Sequence, residues 1–269
     1  MIGFNHLGRL GRFGNQMFQY AALRGIAANR NTSFCLPLYD HDVNDGLGNM
    51  LRTELFDCFN METVSQLNIQ SIDSSRPFAS EETFNFNEKL FNECPDWVSL
   101  WGFFQSEKYF KNVEEIIRKD FTFKDEILDP CKEMMDNVEG QIIGLHIRRT
   151  DFLTNPNHNF VGLEYYKKAL ENFDDSTNVL VLSDDPQWCH EQSLFQDDRF
   201  MISDSESGYI DMCLMSMCTD FIIANSTFSW WAAWLSDSEK IIAPSGWFKG
   251  SSNEHLDTKD IVPEEWEIV

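Results

Sequence analysis

The chain has 269 residues, 42% hydrophobic and 14% aromatic, enough to build a sizeable core and too rich in apolar side chains for wholesale disorder. Its 44 acidic against 21 basic side chains give a formal net charge of −23, which excludes phosphate backbones and anionic lipid surfaces as natural partners. Against that background any cluster of arginines is conspicuous.

No run approaches the roughly 20 apolar residues that span a bilayer. The opening Met1-Ile2-Gly3-Phe4-Asn5-His6 lacks the charged-then-apolar layout of a signal peptide. The seven cysteines show no CxxC pair and no Cys/His grouping, so they read as free thiols of a reducing compartment. These features predict a cytoplasmic protein with no integral membrane segment, in which the sequons at Asn31 and Asn225 carry no meaning.

A strand near residues 2–5 leads through a Gly-rich turn into a helix from about Asn15, and a second strand lies near 33–37. Residues 65–92 are polar and irregular and predict loops. A strand at 98–103 then precedes a helix from about Glu107, with Phe110, Val113 and Ile117 on one stripe. In the second half, strands at 141–147, 178–182, 220–224 and 240–243 alternate with helices near 163–173, 186–195, 207–218 and 227–235. Strand, helix, strand at this spacing predicts right-handed βαβ units and parallel sheets. The acidic stretch 136–140 marks a boundary between residues 1–138 and 139–269. The expected architecture is α/β, two Rossmann-like lobes with a cleft between them.

Four constellations carry chemistry. His146-Ile147-Arg148-Arg149-Thr150-Asp151 directly follows a predicted strand, the edge at which open α/β sheets bind ligands. Adjacent guanidinium forks suit a diphosphate, or else they form a structural Arg–Asp pair at a strand end. Ala224-Asn225-Ser226-Thr227-Phe228-Ser229-Trp230-Trp231 lies where a strand turns into a helix, where hydroxyls and free N–H groups either hold an anion or simply cap the helix. Trp230, Trp231 and Trp234 are read as core rather than as a sugar platform. Gly11-Arg12-Phe13-Gly14-Asn15-Gln16 permits a tight turn and a close backbone approach to phosphate, but it is neither GxGxxG nor a P-loop. Ser183-Asp184-Asp185 ends a strand, and its carboxylates either accept from a ribose or guanine N–H or cap the helix at Pro186. Asp40-His41-Asp42 matches the DxD pattern of a metal site, yet it sits in a polar loop of a very acidic chain and is read as a decoy. His6, His158, His190 and His255 have no ligand or triad spacing.

The constellations occur together and in one order, and with them the chain resembles the α-1,2-fucosyltransferases of the bacterial and viral kind, the glycosyltransferase family 11 type. The matching runs are Gly14-Asn15-Gln16-Met17-Phe18-Gln19-Tyr20-Ala21, Gly102-Phe103-Phe104-Gln105-Ser106-Glu107-Lys108-Tyr109-Phe110, His146 to Asp151, Ser183 to Asp185 and Ala224 to Leu235. The resemblance implies a GT-B fold, a GDP-fucose donor, a galactose-containing glycan acceptor, inversion at the anomeric carbon, and no cofactor or metal. It assigns the β-phosphate to Arg148, with Arg149, Ser226, Thr227 and Ser229 completing the phosphate and nucleotide site. Gly14, Asn15, Gln16, His146, Ser183, Asp184 and Asp185 complete the donor-binding set. Arg148, Asn15 and Asp151 are the expected catalytic residues, with Asp151 either a base or a holder of the arginines. One departure is Gly-Arg-Phe-Gly-Asn-Gln at residues 11–16, where many relatives carry Gly-Gly-Leu-Gly-Asn-Gln. Residues 31–96, the expected acceptor-selecting region, carry little readable resemblance. Three alternatives remain: another fucosyl linkage, a metal-dependent GT-A enzyme through Asp40 and Asp42, and a catalytically idle sugar-nucleotide or glycan-binding module.

Overall fold

The computed structural model describes residues 1–46, 50–238, 240–249 and 257–269. The chain forms two compact units, Met1–Lys124 with Leu256–Pro263, and Asp125–His255 with Glu264–Val269.

The first unit is built on a parallel sheet of β1 (Ile2–Gly3), β2 (Phe34–Cys35), β5 (Phe78–Ser80) and β6 (Val98–Trp101), in the order β2-β1-β6-β5. A separate hairpin pairs β3 (Val43–Asn44) with β4 (Met50–Leu51). Helix α1 (Phe13–Asn29) is buried almost all round, because β1, β2, the short α2 (Leu55–Cys58) and α3 (Glu88–Glu93), and the 3-10 turns after β6 pack on its different sides. Such a helix has no polar face to present, which is why FGNQMFQYAALRGIAAN shows little amphipathic period. Two positions read differently in the structure. Residues 65–92, expected as loops, contribute β5 and α3. The stripe Phe110, Val113 and Ile117 is buried as expected, but its backbone is two 3-10 turns (Glu107–Tyr109, Lys111–Val113) before α4 (Glu114–Asp120).

The second unit begins earlier than the acidic stretch suggests. Helix α5 (Asp125–Met135) buries Ile127 and Cys131 and packs on α8 (Gly208–Ser216), the Cys131 thiol pointing to the carbonyl of Ile210 at 3.7 Å. Apolar packing, not the polarity break after it, thus decides which unit owns the helix. The sheet is six-stranded and wholly parallel, in the order β12-β11-β10-β7-β8-β9. Its strands are β7 (Ile142–Ile147), β8 (Asn178–Ser183), β9 (Phe200–Ile202), β10 (Asp220–Ile222), β11 (Ile241–Ala243) and β12 (Glu267–Ile268). Helices α6 (Leu163–Leu170), α7 (Pro186–Glu191) and α9 (Thr227–Leu235) join α8 around it. All six side-chain positions of β7 are buried, as expected of a central parallel strand covered on both faces. At Gly144 an added Cβ would lie 3.2 Å from both Cys218 and Met215, so the missing side chain is what lets the α8 region sit close to β7.

Candidate functional site

In the second unit the site begins with register. Parallel pairing sets Ile147 opposite Ser183, so the next residues of each strand, Arg148 and Asp184, leave the sheet side by side at its carboxyl edge. Arg148 lies between two carboxylates: Nη2 is 2.5 Å from Asp151 Oδ1 and Nη1 is 3.2 Å from Asp184 Oδ2. Asp184 also accepts from the backbone N–H of Arg149 at 2.8 Å and from the Thr150 hydroxyl. Arg149 donates from Nε to Asp185 Oδ2 at 2.9 Å and lays its guanidinium over the Trp188 ring, 3.8 Å from the centroid. Asp185 in turn caps α7, its other oxygen accepting from the Trp188 N–H at 3.3 Å with Pro186 in the first turn. Both guanidiniums are mostly buried, with 14% and 13% of their side chains exposed. A guanidinium carries five N–H donors, and the single bonds to Asp151, Asp184 and Asp185 use only some of them, so each fork keeps donors for an anion.

His146 points into the interior. Its ring packs against Phe228, with centroids 5.2 Å apart, and so links the arginine-bearing strand end to the first turn of α9. Burial pushes its pKa down to about 3, with the Asp184 charge opposing and the Arg148 charge reinforcing, so it is a neutral ring at pH 7. At the head of α9, Ser226 caps the helix, accepting from the Phe228 N–H at 3.4 Å, and Thr227 beside it is half-buried. Ser229 is fully buried and spends its hydroxyl on the carbonyls of Ala224 and Ser226, both at 3.3 Å. Asn225 braces the turn, donating to the carbonyls of Asn159 at 2.8 Å and Trp247 at 2.7 Å. It is also buried, so its sequon is covered by the fold. Trp230, Trp231 and Trp234 lie in the core, as expected.

The first unit presents a second cluster. Gly11 adopts φ +79°, and an added Cβ would lie 2.7 Å from the Asn15 side chain, so only glycine serves this turn. Gly14 is buried in the first turn of α1, Arg12 is exposed, and Asn15 is half-buried with its Oδ1 accepting from Gln105 Nε2 at 2.9 Å. Gln16 is fully buried and clamps the segment after β4: Nε2 donates to the Arg52 carbonyl at 2.9 Å, and Oε1 accepts from the Glu54 N–H at 3.0 Å. Asp40, His41 and Asp42 are all exposed, and Asp42 sits 3.8 Å from Arg52. Among the described residues no group of three or more His, Cys, Asp or Glu side chains is disposed to hold a metal. His255 lies outside the described residues.

Glu81 belongs to no motif in the sequence. It follows β5, its Oε2 accepts from the backbone N–H groups of Phe103 at 2.8 Å and Phe104 at 2.9 Å, and burial pushes its pKa up to about 7 against those two bonds. One glutamate among so many acidic residues gives no signal, because its partners come from a turn 22 and 23 positions later.

Residues 2–269 match the family described as Glycosyl transferase family 11. The chain is 32% identical over 284 residues to an alpha-1,2-colitosyltransferase of Escherichia coli, covering 95% of each. It is 33% identical over 175 residues to the O-antigen biosynthesis glycosyltransferase WbnK of the same organism, a match that spans 58% of this chain and 57% of that protein. Against the human galactoside alpha-(1,2)-fucosyltransferase 1 it is 26% identical over 251 residues, 86% of this chain and 65% of the other. In fold it is similar to POFUT1, solved in complex with GDP, with a TM-score of 0.51 at 15% identity over 88% of this chain and 94% of that one. Among the described residues no helix is long and apolar enough to cross a membrane. With parallel α/β sheets, paired arginines at a strand end and a family match over residues 2–269, the chain belongs to glycosyl transferase family 11 and is a glycosyltransferase.

Proposed function

We propose that this enzyme transfers L-fucose from GDP-fucose to O2 of a terminal galactoside, with inversion at the anomeric carbon, on a GT-B scaffold and without a metal ion. The observation that carries the reading is the Arg148–Arg149 pair, set at the carboxyl edge by the Ile147–Ser183 register in a chain otherwise poor in cations. Cleavage of the fucose C1–O bond places negative charge on the departing β-phosphate. Fixed guanidinium and N–H donors facing that charge lower the barrier without having to reorganise. In this reading Arg148 faces the β-phosphate, Arg149 and the head of α9 at Ser226 and Thr227 hold the rest of the diphosphate, and Asp184 and Asp185 keep both guanidiniums in place. Ser229, Gln16 and His146 act from inside, as braces of the turns and strand end that carry the contacting groups. Asp151 lies against Arg148, so its role here is to orient that guanidinium, and a phosphate oxygen of the leaving GDP takes the acceptor proton. By the family resemblance, the half-buried amide of Asn15 helps place sugar and phosphate.

A second donor has specific support, because the relative matched over 95% of both chains is an alpha-1,2-colitosyltransferase. A colitosyl group is a fucosyl group lacking the 3-hydroxyl, so the two donors differ in one polar contact. The test is GDP release from GDP-fucose and from GDP-colitose over a panel of galactosides and a glucose control, followed by linkage and anomer analysis of the product. An α-1,2 product on galactose is expected. Exclusive 1,3 or 1,6 linkage, or transfer only to a non-galactose sugar, overturns the acceptor reading. Release from neither donor overturns the donor reading.

A further inference from the structure

At the carboxyl end of the first unit's sheet the backbone is turned against its own preferences. Gly102 has φ +148° and Phe104, which is not a glycine, has φ +54°. A bulky residue at positive φ costs on the order of 1–3 kcal/mol and persists only where its surroundings impose it. The turn brings two successive backbone N–H groups onto one oxygen, Glu81 Oε2, at 2.8 and 2.9 Å. Glu81 is fixed from the other side by its own N–H, which donates to the Trp101 carbonyl at 2.9 Å. The cradle tolerates no side chain at position 102, where an added Cβ would lie 2.6 Å from Glu81 Cβ and 2.8 Å from Oε2. Helix α1 ties the same turn, because Gln19 Nε2 donates to the Gly102 carbonyl at 3.2 Å and to the Leu10 carbonyl at 2.8 Å.

The next residue of the turn is Gln105, whose Nε2 donates to Asn15 Oδ1 at 2.9 Å. That bond ties the Asn15 amide to the turn, and with its oxygen taken by Gln105 the NH2 end is the one left to donate to a ligand oxygen. Meanwhile Glu81 Oε1 is buried with no hydrogen-bond partner, an arrangement that penalises the charged form. A group kept where it costs stability calls for a role beyond packing.

We propose that the Glu81 carboxylate is a positioning group for the donor site, locking the 102–105 turn so that Gln105 holds the Asn15 amide with its NH2 end presented to substrate. This rests on the reading of Asn15 as a donor-site residue. Ionised Glu81 makes two charge-assisted bonds to the turn, and protonation weakens them. Because burial sets the carboxyl near about 7, the lock tightens as pH rises through neutrality. Its titratable neighbour is Tyr109, whose phenol is pushed above its usual range by burial and by the Glu81 charge. Beyond it lies Asp260, ion-paired with Lys108 at 2.7 Å.

The experiment follows the side-chain amides of Asn15 and Gln105 and the backbone amides of Phe103 and Phe104 by 1H–15N NMR from about pH 5.5 to about pH 8.5. In the parent enzyme the four signals are expected to titrate together with a midpoint near about 7, and in Glu81→Gln the titration disappears. Turnover is measured alongside. Glu81→Ala is expected to lose about 10- to 100-fold in kcat with little change in acceptor KM, as for a misplaced contacting group. Glu81→Gln should keep more activity and lose the acid limb near about 7. Asn15 signals indifferent to pH and to substitution in a folded variant overturn the proposal, as does unchanged kcat in both variants. If Glu81→Ala does not fold, Glu81→Gln decides it alone. A parent enzyme that titrates as described but consumes no GDP-fucose refutes the donor reading and leaves the Glu81–Gln105–Asn15 linkage standing.

Discussion

Replacing Arg148 with alanine separates the cost to the fold from the cost to the chemistry. On the side of the fold, the guanidinium stands between Asp151 and Asp184, and its removal leaves both carboxylates without their nearest charge. Asp151 is 41% exposed and can be solvated by water. Asp184, at 19% exposed, retains the Arg149 N–H and the Thr150 hydroxyl. The loss therefore falls below the 3–5 kcal/mol of a fully buried orphan, at about 1–2 kcal/mol, a modest share of the roughly 5–15 kcal/mol of a folded domain. On the side of the chemistry, the variant lacks the guanidinium donors not engaged by Asp151 and Asp184, the ones that the proposed function assigns to the charge growing on the β-phosphate. Losing such a donor set costs about 100- to 1,000-fold in kcat/KM, or roughly 2.7–4 kcal/mol. Arg148→Lys recovers little, because an ammonium holding both aspartates has at most about one N–H to spare. The assay is GDP release with GDP-fucose and lactose, run beside calorimetric melting. A folded Arg148→Ala enzyme within about threefold of the parent would refute the reasoning.

Activity in excess EDTA should stay within about twofold of control, as expected of the proposed site in which guanidiniums and N–H dipoles carry the phosphate charge; complete loss restored by manganese would revive a metal-dependent reading. Gly25→Ala should destabilise by about 1–3 kcal/mol, lowering Tm by about 2–4 °C per kcal/mol. Its added Cβ would sit 1.9 Å from the Tyr109 carbonyl oxygen, a backbone atom that cannot swing away. Gly208→Ala, inside α8 with the new carbon in ordinary contact 4.0 Å from Phe228, is the control and should melt no lower than the parent. Asp211 is held by the Ser203 hydroxyl at 2.7 Å, and burial raises its pKa to about 6 against that bond. The folded state thus favours its protonated form, a contribution present below the unfolded pKa of about 3.9 and lost as pH rises through about 6. Asp211→Asn should therefore raise Tm at about pH 8 and by less at about pH 5, and an equal shift at both would refute the assignment.

Sequence legibility followed the length of the signal. β7 and β8 were readable because each is an apolar run followed by a polar cluster, and α9 because a polar cluster precedes its apolar run; these clusters are the residues proposed for the donor site. β5, β9 and β12 were not, since none of their residues is fully buried, whereas the equally short β1, β10 and β11 lie in buried apolar runs. α5 escaped because Pro130 interrupts it and only Ile127 and Cys131 are buried. In the site, Arg148, Arg149, Asp184 and Asp185 could be grouped because a parallel register joins two strand ends. What the sequence could not distinguish was a polar side chain that faces outward from one that turns back. Gln16 and Ser229 carry the same hydrogen-bonding groups as contact residues but use them on backbone within the fold. Glu81 depends on two unusual φ values that no residue spacing announces.

The buried aromatic helix α9 also fixes how the protein appears in fluorescence. Of the eight tryptophans, Trp97 and Trp101 belong to the first unit and both are exposed. Trp230, Trp231, Trp234 and Trp266 of the second unit form one group with indole centroids 5.0 to 6.3 Å apart. At that spacing excitation migrates among these four indoles faster than it is emitted, so they radiate as a single dry, blue-shifted source, while Trp188 and Trp247 of the same unit stand outside the group. The first unit emits to the red and is open to soluble quenchers. One emission spectrum thus sets the exposed indoles of the first unit apart from the buried group around α9, by the placement of the indoles rather than by any label.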